Sequence, residues 1–210
     1  MMDAETDFLC SLLELQYGQK VEEKLQHLAA HVPWAQGWPA RKESFWNAEA
    51  FMWQHKIEKE KRQLIQNELL FLHNGKNLDL GCGSYSYLPS VGFDLSEKML
   101  EFNDHCYEKV HGDLEKQLLF FDNEFDSITA VFILNYIQNY SALFQEIKRI
   151  TKTYFVMVLS SQKINEWQRQ KEVYDFTADR WCSLLREAGF GVEFYEKESL
   201  WFFVCRKEER

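Results

Sequence analysis

The sequence predicts an α/β fold: a doubly wound, mostly parallel sheet of about seven strands, closed by an antiparallel C-terminal hairpin and preceded by N-terminal helices. Three observations predict it. Asn77-Leu-Asp-Leu-Gly-Cys-Gly83 runs an apolar pair into two closely spaced glycines, and Val91-Gly-Phe-Asp94 is a second short apolar run ending in an acid. Phe125-Asp-Ser-Ile-Thr-Ala-Val131 and Tyr154 to Leu159 are nearly continuous apolar runs, of the kind buried on both faces of a parallel sheet. Beyond Leu184-Leu-Arg-Glu-Ala-Gly189, the runs Val192 to Tyr195 and Leu200 to Arg206 are joined by a turn too short for a crossover helix, so they pair antiparallel.

Taken in order, residues 5–31 carry Leu9, Leu12, Leu13, Val21, Leu25 and Leu28 at helical spacing, as one helix or two short ones. Two prolines and a glycine between His31 and Pro39 break that pattern and leave Trp34 and Trp38 on a loop, where they need burial against the core or a ligand. A second helical stretch runs from Ser44 to about His73, with Trp46, Phe51, Trp53, Ile57, Leu64, Ile65, Leu69 and Leu72 on its apolar side and Asn74-Gly75 as its stop. Residues 1–75 are therefore expected to form a helical cap or lid on a core of residues 76–210. Within that core Ser96 caps a helix reaching about Asp104, and Tyr107 to Asp113 is a third strand ending in a second acid. Ser141 starts a helix carrying Leu143, Phe144, Ile147 and Ile150; Thr177 starts another, which Gly189 ends. Residues 162–176, with Trp167 and Tyr174, are polar and poorly patterned, a loop or a surface helix.

A chain of 210 residues, 46% hydrophobic and 27% charged, has room for one such domain with a substantial core. Its net charge of −9 argues against a nucleic-acid partner, whose phosphates are bound largely by Lys and Arg. The cysteines at 10, 82, 106, 182 and 205 form no C-x-x-C pair, and His27 and His31 lack a third partner, so neither a metal site nor a disulfide framework is expected. The acidic start, Met-Met-Asp-Ala-Glu, and the absence of any long apolar run lead to the expectation of a cytoplasmic protein without a membrane segment.

The glycine turn carries the chemistry. Glycines at 81 and 83 let the backbone bend sharply and approach a ligand without a side chain in the way. A carboxylate at the tip of the next strand, Asp94, suits the paired hydroxyls of a ribose, so an adenosine-containing cofactor is expected across the strand ends. Only residues 81–90 join the first two strands, close to the lower limit for a crossover that contains a helix. The first helix is then a turn at most, and cover must come from the Trp-bearing N-terminal helices.

Five segments in order, Asn77–Gly83, Val91–Leu100, Gly112–Glu115, Asn123–Ile128 and Leu184–Phe190, resemble the class I S-adenosylmethionine-dependent methyltransferases, the small-molecule type with a UbiE-like core on a Rossmann-like fold. The resemblance implies that Asp79, Gly81, Cys82 and Gly83 surround the methionine part of S-adenosylmethionine, or of the product S-adenosylhomocysteine. It implies that Asp94 holds the ribose with Leu95 against the adenine, that Asp113 and Leu114 meet the adenine edge, and that Phe132 and Ile133 pass beside the cofactor toward a small-molecule acceptor. Tyr85 stands where the family has its third glycine. Aromatic faces attract a sulfonium, which makes Trp46, Trp53 and Tyr136 candidates near it, and His55 is a candidate base. Two rival readings remain. A nicotinamide-dependent oxidoreductase would place its acid about twenty residues past the first glycine, whereas Asp94 follows Gly81 by thirteen and Ser86 replaces the last glycine. A non-catalytic member of the same fold would bind cofactor or a partner without turnover.

Overall fold

Strand-forming runs buried on both faces dictate a layered molecule, and the computed structural model, which describes residues 3–53, 56–162 and 171–208, shows it. The sheet contains β1 (Asn77–Leu80), β2 (Ser90–Asp94), β3 (Cys106–His111), β4 (Phe125–Val131), β5 (Thr151–Ser160), β6 (Phe190–Lys197) and β7 (Leu200–Lys207), in the order β3-β2-β1-β4-β5-β7-β6. The pairs among β1 to β5 are parallel, and β7 enters antiparallel between β5 and β6. Glu198 and Ser199 adopt positive φ at the tip of the β6–β7 hairpin, the backbone that a two-residue turn between twisted strands requires.

Alternation along β5 divides the two cores. Phe155, Met157 and Leu159 face α6 (Tyr140–Ile150) and α7 (Ala178–Glu187), packing with Phe144, Ile147, Trp181 and Leu185. Val156 and Val158 face the other way, onto Ile65 and Leu69 of α4 (Lys59–Leu69) together with Tyr87 and Leu88. The helix expected from Ser44 to His73 is thus two helices. α3 (Lys42–Trp53) stops short of α4, and α4 lies against the sheet face that the β1–β2 connection, which holds only turns, leaves bare.

The remaining helices gather at the carboxyl ends of the strands. α1 (Ala4–Gln16) and α2 (Glu22–Ala29), separated by a bend at Gly18 with φ +81°, share a small core with Val32, Trp38 and Ala48. Both loop tryptophans find their burial there: Trp34 and Trp38 pack edge-on against Phe8, and Trp34 Nε1 donates to Glu5. α3 then reaches the sheet through Phe45, Trp46 and Ala50, which cluster with Met99 of α5 (Glu97–Phe102) and with Tyr136. Of two expected caps one holds and one shifts: Ser96 caps α5, accepting from Met99 N, whereas α6 is capped two residues earlier than expected by Asn139, which accepts from Ala142 N. The backbone chooses the acceptor that lies before the first helical residue, and here that is the asparagine.

Candidate functional site

At the carboxyl end of a parallel strand the chain must leave the sheet, and the gap between two departing connections is where such folds bind ligands. In this chain the gap is a cleft lined by Gly81, Gly83, Asp94, Leu95, Met99, Asp113, Leu114, Phe132, Ile133 and Tyr136, with Trp46, Trp53 and Lys42 of α3 across it. A smaller cavity continues past Trp53, Gly81 and Phe132 to Asp79, Cys82, Tyr85 and Tyr87. The structure therefore brings together the predicted set Trp53, Gly81, Gly83, Asp94, Leu95, Asp113, Leu114 and Phe132, and places Asp79 and Cys82 at one end of it. His55 lies outside the described residues, as does Trp167. His27 and His31 stand edge-on to each other at 5.4 Å, and among the described residues no group of three or more His, Cys, Asp or Glu could hold a metal.

The glycine loop is shaped by contacts only glycine permits. Gly81 has φ +61°, and a Cβ there would sit 2.5 Å from Ile133 Cγ1; Gly83 has φ +56° with the Trp53 ring 3.4 Å from where its Cβ would be. The indole of α3 thus closes over the loop. Phe132 has the left-handed φ of +58° although it carries a ring. Its N–H donates to Val158 O at 2.8 Å, so β5 holds the strained turn that carries Phe132 and Ile133 to the cleft wall.

Two buried carboxylates flank the loop. Asp94 accepts from Gly83 N at 2.9 Å and from Ser96 N at 2.8 Å, which ties the end of β2 to both the loop and α5. Burial raises its carboxyl above the usual range despite those donors. Burial also pushes the Asp79 carboxyl up to about 6, against hydrogen bonds from Ser86 and Thr129 and with help from the nearby Asp94 charge. Asp113 is half-buried and accepts from Glu115 N at 3.0 Å, so it shapes the turn after β3 while also lining the cleft. Cys82 is buried beside Cys106, both sulfurs crowding the space over Gly92, whose added Cβ would fall 2.9 Å and 2.3 Å from them.

One functional residue has no sequence signature. Asn47 on α3 accepts from Ser96 Oγ at 2.7 Å and from Lys98 N at 3.2 Å, and donates to Trp34 O at 3.0 Å. Through Ser96 it links the N-terminal helices to the Asp94 carboxylate. A lone asparagine in a helix reads as a surface residue, and only its 3% exposure reveals the link. Asn47→Ala is expected to lower stability by about 2 kcal/mol, the cost of a few buried hydrogen-bonding groups left unpaired. The shift would be read as a lower urea midpoint with an unchanged slope.

The cleft favours one kind of adenosine cofactor. A dinucleotide's pyrophosphate is held by a helix N-terminus directly after the glycine turn, and residues 81–89 contain no helix. The one basic side chain among the residues lining the cleft, Lys42, is paired with Glu115 at 3.3 Å. Two buried acids in place of phosphate donors suit a cofactor that carries positive charge, and the glycine contacts leave its backbone approach open.

Comparison with known proteins agrees with this geometry. Residues 78–157 match the family model described as a methyltransferase domain. Demethylmenaquinone methyltransferase of Staphylococcus saprophyticus is 32% identical over 108 residues, which cover 43% of this chain and 46% of that protein, so the match spans about half the relative's length. Among solved structures, a chain from the complex of a methyltransferase with a methyltransferase activator of Haloferax volcanii has a TM-score of 0.63 at 17% identity, covering 81% of this chain and 98% of its own. Magnesium protoporphyrin IX methyltransferase from Synechocystis, with bound S-adenosylhomocysteine, has a TM-score of 0.60 at 13% identity, covering 79% of this chain and 97% of its own. The matched segment is similar to a methyltransferase domain, the seven-stranded sheet around it has the fold of these solved methyltransferases, and the cofactor these matches indicate is S-adenosylmethionine.

Proposed function

We propose that the protein transfers a methyl group from S-adenosylmethionine to a small-molecule acceptor held beneath α3. The single observation that carries this reading is the pair of buried carboxylates, Asp79 and Asp94, on either side of a glycine loop that has no phosphate-binding helix. Asp94 is positioned for the ribose hydroxyls, Asp113 and Leu114 for the adenine edge, and Asp79 for the ammonium of the methionine end. The cofactor, when bound, supplies a methyl that is already electrophilic, so the chain's part is to orient the acceptor and exclude water. Trp46 and Trp53, edge-on at 6.1 Å, and Phe132 provide the apolar and aromatic walls for that.

The fit extends to proton management. Burial, and after it the charges of Glu172 and Glu49, raise the Tyr136 phenol well above its usual value. Tyr136 is therefore a neutral hydrogen-bonding group at neutral pH rather than a base, and the acceptor must be nucleophilic without a proton transfer to it. Among the described residues no helix is long and apolar enough to cross a membrane. The net charge of −9 and the largely apolar cleft support a small acceptor over a nucleic acid.

Calorimetric titration tests the reading. The protein is expected to bind S-adenosylmethionine and S-adenosylhomocysteine with micromolar dissociation constants, and no heat at millimolar ligand would end the proposal. Binding without release of S-adenosylhomocysteine, across a panel of hydroxylated, amine and thiol acceptors, would instead indicate a cofactor-binding protein without turnover.

A further inference from the structure

Tyr136 sits on the single 3-10 turn Leu134–Tyr136 that follows the strained Phe132. Ile133, in between, packs against the glycine loop so closely that Gly81 could not be alanine without a clash. The turn thus carries Tyr136 from the cofactor loop to the far wall of the cleft, where its ring stands edge-on to Trp46 at 5.0 Å. The side chain is 1% exposed, and its hydroxyl has no hydrogen-bond partner among the described residues. A buried, unpaired hydroxyl costs about 1–3 kcal/mol. A phenylalanine would fill the same space without that cost, so the hydroxyl is an unspent donor on a residue that lines the cleft.

The surroundings define what it meets. The cleft wall around Tyr136 consists of Trp46, Ile133, Ile137 and Phe132, all apolar, while the acids of the cleft, Asp94 and Asp113, belong to the adenosine end. Lys42 is engaged with Glu115, and the buried Glu49 of α3 is paired with Lys56. The carboxylates whose charges reach the Tyr136 phenol are those of Glu172 and Glu49, so an anionic acceptor would be repelled from this wall, whereas a flat apolar molecule with one oxygen would find both stacking surfaces and a donor.

Resting on the methyltransferase reading above, we infer that Tyr136 is the acceptor-positioning residue: its hydroxyl donates a hydrogen bond to an oxygen of an uncharged, ring-bearing acceptor and holds that molecule against Trp46. Tyr136 takes no proton in the transfer and acts by orientation alone.

The test uses the full chain saturated with S-adenosylhomocysteine and two probes, 2-naphthol and naphthalene, titrated into the wild type and Tyr136→Phe. The first measurement is affinity for S-adenosylhomocysteine itself. It is expected to agree within about twofold between the two proteins; loss of cofactor binding by the wild type would defeat the methyltransferase reading, and a tenfold loss confined to the variant would assign the hydroxyl to the cofactor and overturn this inference. Thermal stability of the unliganded variant is expected to equal or exceed the wild type, because no bond is lost; a fall of several degrees would reveal a structural partner and overturn it too. In the complex with S-adenosylhomocysteine, 2-naphthol is expected to bind the wild type about fivefold to tenfold more tightly than the variant, the worth of one net hydrogen bond, while naphthalene binds both equally. Equal loss for the two probes, no difference for either, or no binding of 2-naphthol by the wild type would each overturn the assignment.

Discussion

Asp94→Ala is expected to weaken S-adenosylmethionine binding roughly a hundredfold, about 2.8 kcal/mol, and to lower the stability of the unliganded protein as well. The two effects have one origin. The carboxylate proposed to hold the ribose also accepts from Gly83 N and Ser96 N, both within 2.9 Å. Removing it strands two buried N–H groups at ~1–3 kcal/mol each. Relief of a buried charge, whose carboxyl burial has already raised, offsets part of that cost, which leaves a net loss of about 1–3 kcal/mol. Calorimetry and urea denaturation on the same variant check both, and an unaltered cofactor affinity would show that the ribose lies elsewhere.

Asp79→Asn is expected to act in the opposite sense on stability and in the same sense on binding. Burial pushes the folded carboxyl up to about 6, above the usual carboxylate range. Its contribution to stability is therefore fully present below the unfolded value, is lost as pH rises through about 6, and stays lost at neutral pH. A shift of about two units corresponds to about 3 kcal/mol at most. The asparagine keeps an oxygen to accept from Thr129 Oγ1, which lies 2.7 Å from the carboxylate. The unliganded variant should then melt roughly 5–10 °C above the wild type at pH 7 and at the same temperature below the unfolded value of the carboxyl. Cofactor affinity follows the ionised form: an ammonium beside Asp79 needs the negative charge, so wild-type binding should fall about tenfold between pH 7 and pH 5 while the weak binding of the variant stays flat. A melting temperature that falls on substitution would contradict the buried-charge account, and a flat wild-type profile would remove Asp79 from the ammonium contact.

This opposition shows how a site trades stability for binding. Asp79 is costly in the empty cleft because burial strips its solvation and Asp94 stands nearby with the same charge. A cationic cofactor would relieve both penalties at once, which is why two acids can be kept in a place where hydrophobic residues would hold the fold more firmly.

Much of the site could be read directly from residue order. Gly81, Gly83, Asp94 and Asp113 are separated by short spans, and each sits at the end of a strand whose apolar run marks it, so local pattern alone predicts that they share one edge of the sheet. The two faces of β5 were legible for the same reason: a run without alternation requires cover on both sides. The separation of α3 from α4 was not. Their apolar residues follow the same spacing, and the pattern carries no sign of which surface each helix covers. Trp34 and Trp38 likewise read as ligand or core, and packing on Phe8 decided for core.

The sequence by itself determined the sheet, its antiparallel close, the glycine loop and the acids at its strand ends, because strand periodicity and positive-φ turns are encoded within a few neighbouring residues. Only the tertiary structure decided how the cleft is roofed and what it can hold. α4 covers the face left by the missing crossover helix, Asn47 joins the cap to Ser96 over a separation of 49 residues, and the Tyr136 hydroxyl is buried without a partner. Those features arise from contacts between segments distant in the chain, and burial, which sets the charge state of Asp79 and the availability of Tyr136, exists only once the segments have met.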